Sequence, residues 1–204
     1  MHGRKTSERI IDPDFLLNAY RHGFFPMSDS GSDEIHWYSP DPRAIFEPGG
    51  VIVSRSLRRT LKQKIFDVRF DTAFEQVIRR CAEREETWIS GTIIRSYLNL
   101  HRLGHAHSVD AWSAHGLAGG LYGVAIGGAF FGESMFSRER DASKIALVFL
   151  SHHLFQRGFV LLDTQFLTPH LASLGAREIP RAEYLRRLET ALKRDCAFLE
   201  KSDS

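Results

Sequence analysis

In residues 116–137, GLAGGLYGVAIGGAFFGESMFS, apolar side chains run almost unbroken on both sides of Gly127-Gly128. A Gly-Gly pair between two such runs predicts a β-hairpin, because the turn needs backbone at positive φ. The second strand carries one acid, Glu133. Strand alternation places Phe131, Glu133 and Met135 on one face. A carboxylate between Phe and Met on a core-like strand is costly to bury without a partner. The plainer alternative is a strand-edge Glu that reaches water or a cation such as Arg138.

The rest of the chain supplies elements to flank that hairpin. Residues 141–157 predict a helix capped by Asp141 or Ser143 and ended by Gly158. Phe159–Gln165 then alternates as a strand. Upstream, His107–Trp112 begins the sheet, Phe66–Phe70 is a strand, and 72–84 and 91–103 are amphipathic helices. Val51–Val53 reads as a short strand, followed by a basic helix capped by Ser54 or Ser56. Residues 13–23 read as a short helix, and 171–174 and 180–194 as two more, the last entered through Pro180. Residues 26–42, PMSDSGSDEIHWYSPDP, are loop-rich and mark a boundary, with few strands expected before it. The expectation is an α+β protein: a small N-terminal domain over 1–40 and a main domain over 41–204, its central, mostly antiparallel sheet flanked by helices.

Composition narrows the function classes. The 204 residues are 43% hydrophobic and 25% charged, ordinary for a globular chain with a sizeable core. No apolar run spans a membrane and no apolar leader opens the chain, so neither membrane insertion nor secretion is expected. Two cysteines, Cys81 and Cys196, in no metal-like spacing, favour a cytoplasmic setting without disulfides. A net charge of +2 means that any nucleic-acid binding must rest on a local patch.

Three constellations carry chemistry. The first is Glu133. The second is Asp163-Thr164-Gln165, which interrupts an apolar strand and projects residues 163 and 165 to one side. A carboxylate and an amide there can bind an amine and orient a nucleophile, whereas a simple strand end would leave both in water. The third is Arg55, Arg58, Arg59 and Lys62, spaced i, i+3, i+4, i+7 on one helical face with no acid between Val51 and Ile65. A phosphate backbone would relieve their mutual repulsion, and a solvated surface is the bland alternative. His105/His107 and His152/His153 lack a third ligand at metal spacing, so no metal is expected. No Walker loop, Rossmann glycine pattern or G-x-S-x-G elbow is present.

Several motifs in order, FFPM, WYSPDPRAIF, SRSLRR, TWIS, LGHAHS, GESMFSRERDASK and LLDTQFLTPHLASLGA, give the chain a further reading. From Asp14 to Leu188 it resembles the leucyl/phenylalanyl-tRNA–protein transferase family of the bacterial N-degron pathway. That resemblance implies a GNAT-like acyltransferase domain behind a small N-terminal domain. It implies transfer of Leu or Phe, less well Met, from Leu-tRNA or Phe-tRNA to proteins beginning with Arg or Lys, with no cofactor. The tRNA would be held at its acceptor stem and 3′ end, and the enzyme is expected to be a cytoplasmic monomer.

Carried over residue by residue, the resemblance implies that Asp163, helped by Gln165, holds or deprotonates the amine or orients the reacting groups. It implies an apolar amino-acid pocket from Leu121, Gly132, Met135, Leu150, Leu154 and Leu162, with Trp88 nearby. Glu133 would bind the substrate amine or cationic acceptor. Phe25, Met27, Trp37 and Tyr38 would form an aromatic wall near the terminal adenosine, and Thr168 would lie near the acceptor. Arg55, Arg58, Arg59 and Lys62 would grip the acceptor stem. Met27 stands where relatives often carry Trp, and Thr168 where some carry Asn. Leu150 and Leu154 stand where some carry Phe, which implies a wider pocket. Two rivals are a CoA-dependent N-acetyltransferase and a non-catalytic RNA-binding module. The first lacks a glycine in SRERDASK to cradle a pyrophosphate, and the second leaves Glu133, Asp163 and Gln165 without purpose.

Overall fold

The structure is a computed structural model that describes residues 9–29, 33–84 and 86–200. The expected hairpin is present: β6 (Gly116–Ile126) and β7 (Ala129–Ser137) pair antiparallel around Gly127, whose φ is +55°. Apolar residues fill both faces of these strands because both faces are covered by helices. At Gly123 a Cβ would sit 2.2 Å from the Phe131 carbonyl oxygen and 2.5 Å from the Phe130 ring, so only glycine fits between the paired strands there.

Five further strands complete a seven-stranded sheet in the order β4-β5-β6-β7-β8-β3-β9. They are β3 (Arg43–Phe46), β4 (Asp67–Phe70), β5 (Ala106–Ser113), β8 (Leu161–Gln165) and β9 (Arg177–Ile179). All neighbours are antiparallel except β7 and β8, which run parallel because α5 (Ala142–Gln156) crosses over between them. That parallel pairing lasts for three rungs, Ala129–Leu161 to Phe131–Asp163, and then the strands part. The α+β class is therefore as expected.

One face of the sheet carries α5 and α2 (Arg55–Gln63), whose Leu57 packs with Ala142 and Ile145 of α5. The opposite face carries α1 (Pro13–Arg21), α3 (Phe74–Ala82), α4 (Gly91–Arg102) and α7 (Arg181–Leu192) over a core that includes Tyr20, Val77, Tyr97 and Leu188. A short α6 (Pro169–Ser173) follows β8. No helix among the described residues is long and apolar enough to cross a membrane.

Three expectations need correction. Val51–Val53 is not a strand: the segment is extended, but its one ladder-like bond runs from Ile52 N to the Leu174 carbonyl oxygen, 2.8 Å. Residues 26–42 are richer in strand than loop-like composition implies. β1 (Phe25–Ser28) and β2 (Ile35–Tyr38) form a two-stranded sheet, and β3 enters the main sheet directly after Pro42. Pro26 is tolerated because a two-stranded ribbon has free edges. Finally, Asp141 stands at the start of α5 in left-handed backbone and caps no helix N–H. Its carboxylate instead accepts from Lys144 Nζ, 2.9 Å, and Thr60 Oγ1, 3.4 Å.

Candidate active site

Where β7 and β8 part, the sheet opens into a cavity of about 360 Å³. Its walls follow from that split: Gly132, Glu133 and Met135 on one strand, Thr164, Gln165 and Phe166 at the end of the other, and Leu121, Leu147 and Leu150 beneath. A slot lined this way takes an apolar side chain in its depth and presents polar groups at its seam.

Glu133 owes its position to a bulge. Gly123 opposes Gly132 and Tyr122 opposes Ser134, which leaves Glu133 as an extra residue with no partner across the ladder. Phe131 and Glu133 consequently face the core of α1 and α4, whereas Met135, paired with Leu121, faces the core of α5. The three do not share one face, because the inserted residue reverses the alternation after it. Glu133 is not at the strand edge either. Its Oε1 accepts from Tyr20 Oη, 2.7 Å, and from Gln165 Nε2, 3.1 Å, and its Oε2 accepts from Tyr97 Oη, 3.1 Å. The Tyr20 and Tyr97 hydroxyls also touch each other, so their two protons are shared over three contacts.

Burial pushes the Glu133 carboxyl up to about 7. The two tyrosine hydrogen bonds pull the other way, the Asp163 charge adds to the rise, and Arg43 opposes it. Desolvation thus outweighs both tyrosine hydrogen bonds. Tyr20 and Tyr97 are themselves held well above their ordinary range, by burial first and by the Glu133 charge next, so both stay protonated donors.

Asp163 is completely buried and lies outside the cavity lining. Its Oδ1 accepts from Arg43 Nε and from the Gln165 backbone N–H, both 2.9 Å, and its Oδ2 accepts from Arg43 NH2, 2.6 Å, and Tyr184 Oη, 2.8 Å. Four donors saturate the carboxylate. Arg43, 0% exposed, makes the bidentate pair, donates to the Gly23 carbonyl oxygen at 3.0 Å, and lies over the rings of Phe25 and Tyr184. Burial pulls the guanidinium pKa down, but the Asp163 charge and hydrogen bonds outweigh this and leave it above its ordinary value. The bond from Asp163 to the Gln165 N–H matters because Gln165 has φ +60°, a left-handed conformation that a non-glycine residue holds only when its surroundings impose it. In that conformation its amide turns to Glu133 at the cavity seam.

Of the residues expected from the sequence, Phe25, Met27, Trp88, Leu121, Gly132, Glu133, Met135, Leu150, Leu162, Gln165 and Thr168 line the cavity. Leu154 does not: it lies one turn beyond Leu150 along α5, beside Phe155 and Phe159 under a separate small hollow. Trp37 and Tyr38 stand behind the wall, Trp37 edge-on to Phe15 and Tyr38 stacked on Phe25 at 6.1 Å. The Thr168 hydroxyl caps α6, accepting from Leu171 N at 3.2 Å. Arg55, Arg58, Arg59 and Lys62 are exposed on α2, capped by Ser54, and none of them makes an ion pair among the described residues. Among the described residues no group of three His, Cys, Asp or Glu side chains could hold a metal ion.

Sequence reasoning missed Arg43, Tyr20, Tyr97 and Tyr184. Arg43 had one signal, a cation inside the apolar run RAIF. The tyrosines had none, since a Tyr on an amphipathic helix is ordinary core material.

Two family models match the chain. The model described as leucyl/phenylalanyl-tRNA protein transferase matches residues 45–189, and that of the same family's N-terminal domain matches residues 9–41. A leucyl/phenylalanyl-tRNA--protein transferase of Rubrobacter xylanophilus is 56% identical over 189 residues, covering 92% of this chain and 98% of that one. One from Gloeobacter violaceus is 53% identical over 188 residues, covering 92% and 97%. Among solved structures, a GCN5-related N-acetyltransferase from Sphaerobacter thermophilus aligns over 84% of this chain and 55% of that chain, with a TM-score of 0.39 at 16% identity.

Proposed function

Because the chain belongs to the leucyl/phenylalanyl-tRNA protein transferase family, we propose that it moves an aminoacyl group from aminoacyl-tRNA to the amino terminus of a protein. The donor carries Leu or Phe, and Met less well. The acceptor begins with Arg or Lys and is thereby marked for degradation. The enzyme acts in the cytoplasm as a monomer, with residues 1–40 as its small domain and 41–204 as its catalytic domain.

The observation that carries this reading is the meeting of Glu133 and Gln165 at the seam of an apolar cavity. The donor ester is already activated, so its reaction with an amine needs no nucleotide hydrolysis. A protein α-amine has a pKa of about 7.7–8.0, so a useful neutral fraction exists near pH 7. The amine nitrogen attacks the ester carbonyl carbon, the bond to the ribose oxygen breaks, and that oxygen leaves as a hydroxyl with a proton. Holding amine and ester together supplies much of the acceleration. Glu133, with a pKa near 7, accepts a proton of the attacking amine, and the Gln165 amide orients the reacting groups. Asp163 acts as a positioning residue: its oxygens are occupied by Arg43, Tyr184 and the Gln165 N–H, so it fixes the Gln165 backbone. Leu121, Met135, Leu150 and Leu162 take the donor side chain, and a β-branched one fits less well, by about 1–3 kcal/mol.

Transfer of radiolabelled Leu and Phe from charged tRNA to peptides beginning with Arg, Lys, Asp or Ala tests the reading. Label on the Arg and Lys peptides alone is expected. Label on Asp instead would reverse the charge logic of the acceptor, and tRNA binding without any transfer would favour the RNA-binding module. The α2 cluster carries its own expectation. Arg58→Ala with Arg59→Ala should weaken tRNA binding and reduce the slope of log affinity against log salt by about 2. An unchanged slope would take the acceptor stem away from this helix.

A further inference from the structure

A second concavity, of about 460 Å³, adjoins the first and shares Arg84, Met135 and His170 with it. Their linings differ in kind. The first is mainly apolar, whereas the second is lined by Arg80, Arg84 and Arg138 with the backbone and hydroxyls around Ser137 and Ser143. Arg84 stands between them, its guanidinium held by the Met135 carbonyl oxygen. Among the described residues one acid, Glu83, lines the groove, and it is shared between Arg80, 2.9 Å, and Arg138, 3.9 Å. Three guanidinium groups against one carboxylate leave the groove positive. His170 does not change this, since burial, and then Lys144, hold its pKa below the ordinary value. The groove ends at the start of α5, where Asp141 receives Thr60 of α2 and where Leu57 of α2 packs on Ala142. The basic face of α2, the arginine groove and the apolar cavity therefore follow one another along the molecule.

Building on the proposed donor, we infer that this groove binds the phosphodiesters of the unpaired 3′ end of the donor tRNA and leads its terminal nucleotide to the cavity. Phosphate oxygens match arginine forks better than any other common anion on an RNA or protein. The same charge turns the acceptor away: a protein beginning with Arg or Lys would meet three like charges, so it enters from another side. These contacts touch the sugar–phosphate chain and not the bases, so they hold any charged tRNA in one register.

Two donors separate this role from a structural one: leucyl-tRNA, and leucyl-adenosine, the same ester without any phosphodiester. In Arg80→Ala/Arg138→Ala, KM for leucyl-tRNA should rise about tenfold more than KM for leucyl-adenosine. Arg138→Lys should recover part of the difference, as both parent side chains are partly exposed and carry no core contact. An equal rise for both donors, or no rise for either, would overturn the inference. A wild-type enzyme that uses neither donor would instead overturn the transferase reading, and the groove assignment with it.

Discussion

Glu133→Gln should lower kcat/KM for transfer by about a hundredfold or more, the size of a lost proton acceptor, and should at the same time make the protein more stable at pH 8. The two effects have one origin. The carboxyl is pushed from an ordinary value of 4.5 to about 7 because burial disfavours its charge. Between those values the folded state holds a proton that the unfolded chain has released. Stability from this group is therefore full below the unfolded value and is lost as pH rises through about 7. The loss amounts to at most about 3 kcal/mol, less to the extent that water in the cavity solvates the carboxylate. The glutamine stays neutral, keeps an oxygen for one tyrosine hydroxyl, turns its NH2 to the lone pairs of the other, and escapes that penalty. Thermal melts from pH 5 to 8 should show wild type losing ground on the variant as pH rises. The wild-type rate should climb with pH through about 7, in step with the carboxylate. A variant that is fully active, or one less stable than wild type at pH 8, would remove Glu133 from the proposed role.

Asp163→Ala should be the most damaging single change to the fold of the site. It strands Arg43, which is 0% exposed, with no counter-charge, and an uncompensated buried charge costs about 3–5 kcal/mol. In a chain of this size that is a fall in Tm of roughly 10–15 °C. Asp163→Asn is the sharper probe of mechanism. It removes the charge but keeps the shape, with one oxygen left to accept from the Gln165 N–H while the amide NH2 takes the place of the oxygen that faced Tyr184. If Asp163 were the base, only the pH dependence of the α-amine itself would remain. With Glu133 as base the dependence should persist and its midpoint should move below about 7, because the Asp163 charge helps to raise Glu133 and the unpaired Arg43 would then lower it. Rates measured from pH 5 to 9 on the two proteins separate these outcomes.

The parts legible in the sequence are those with long, uninterrupted patterns. The hairpin around Gly127, the crossover helix and strand β8 each carry enough apolar residues in one period to be read alone. β1, β2 and β3 are four residues each, hemmed by Pro and Asp, and their pairing is set by distant partners. The bulge at Glu133 was invisible because alternation assumes that no residue is inserted. Glu133 and Gln165 could be found since each interrupts an apolar strand. Arg43 could not be assigned, because its partner Asp163 lies 120 residues away in the sequence. The same holds for Tyr20 and Tyr97, 113 and 36 residues from Glu133.

The Arg43 guanidinium has a consequence for timing during synthesis. It joins Gly23, Asp163 and Tyr184, which are made one after another with long stretches of chain between the first two. Until α7 emerges, Asp163 lacks the Tyr184 hydroxyl and Arg43 lacks one of its two aromatic walls. The strained turn at Gln165 is thus fully fastened only after α7 has been made. A chain that has not yet made α7 therefore holds this charge pair with fewer partners than the finished one.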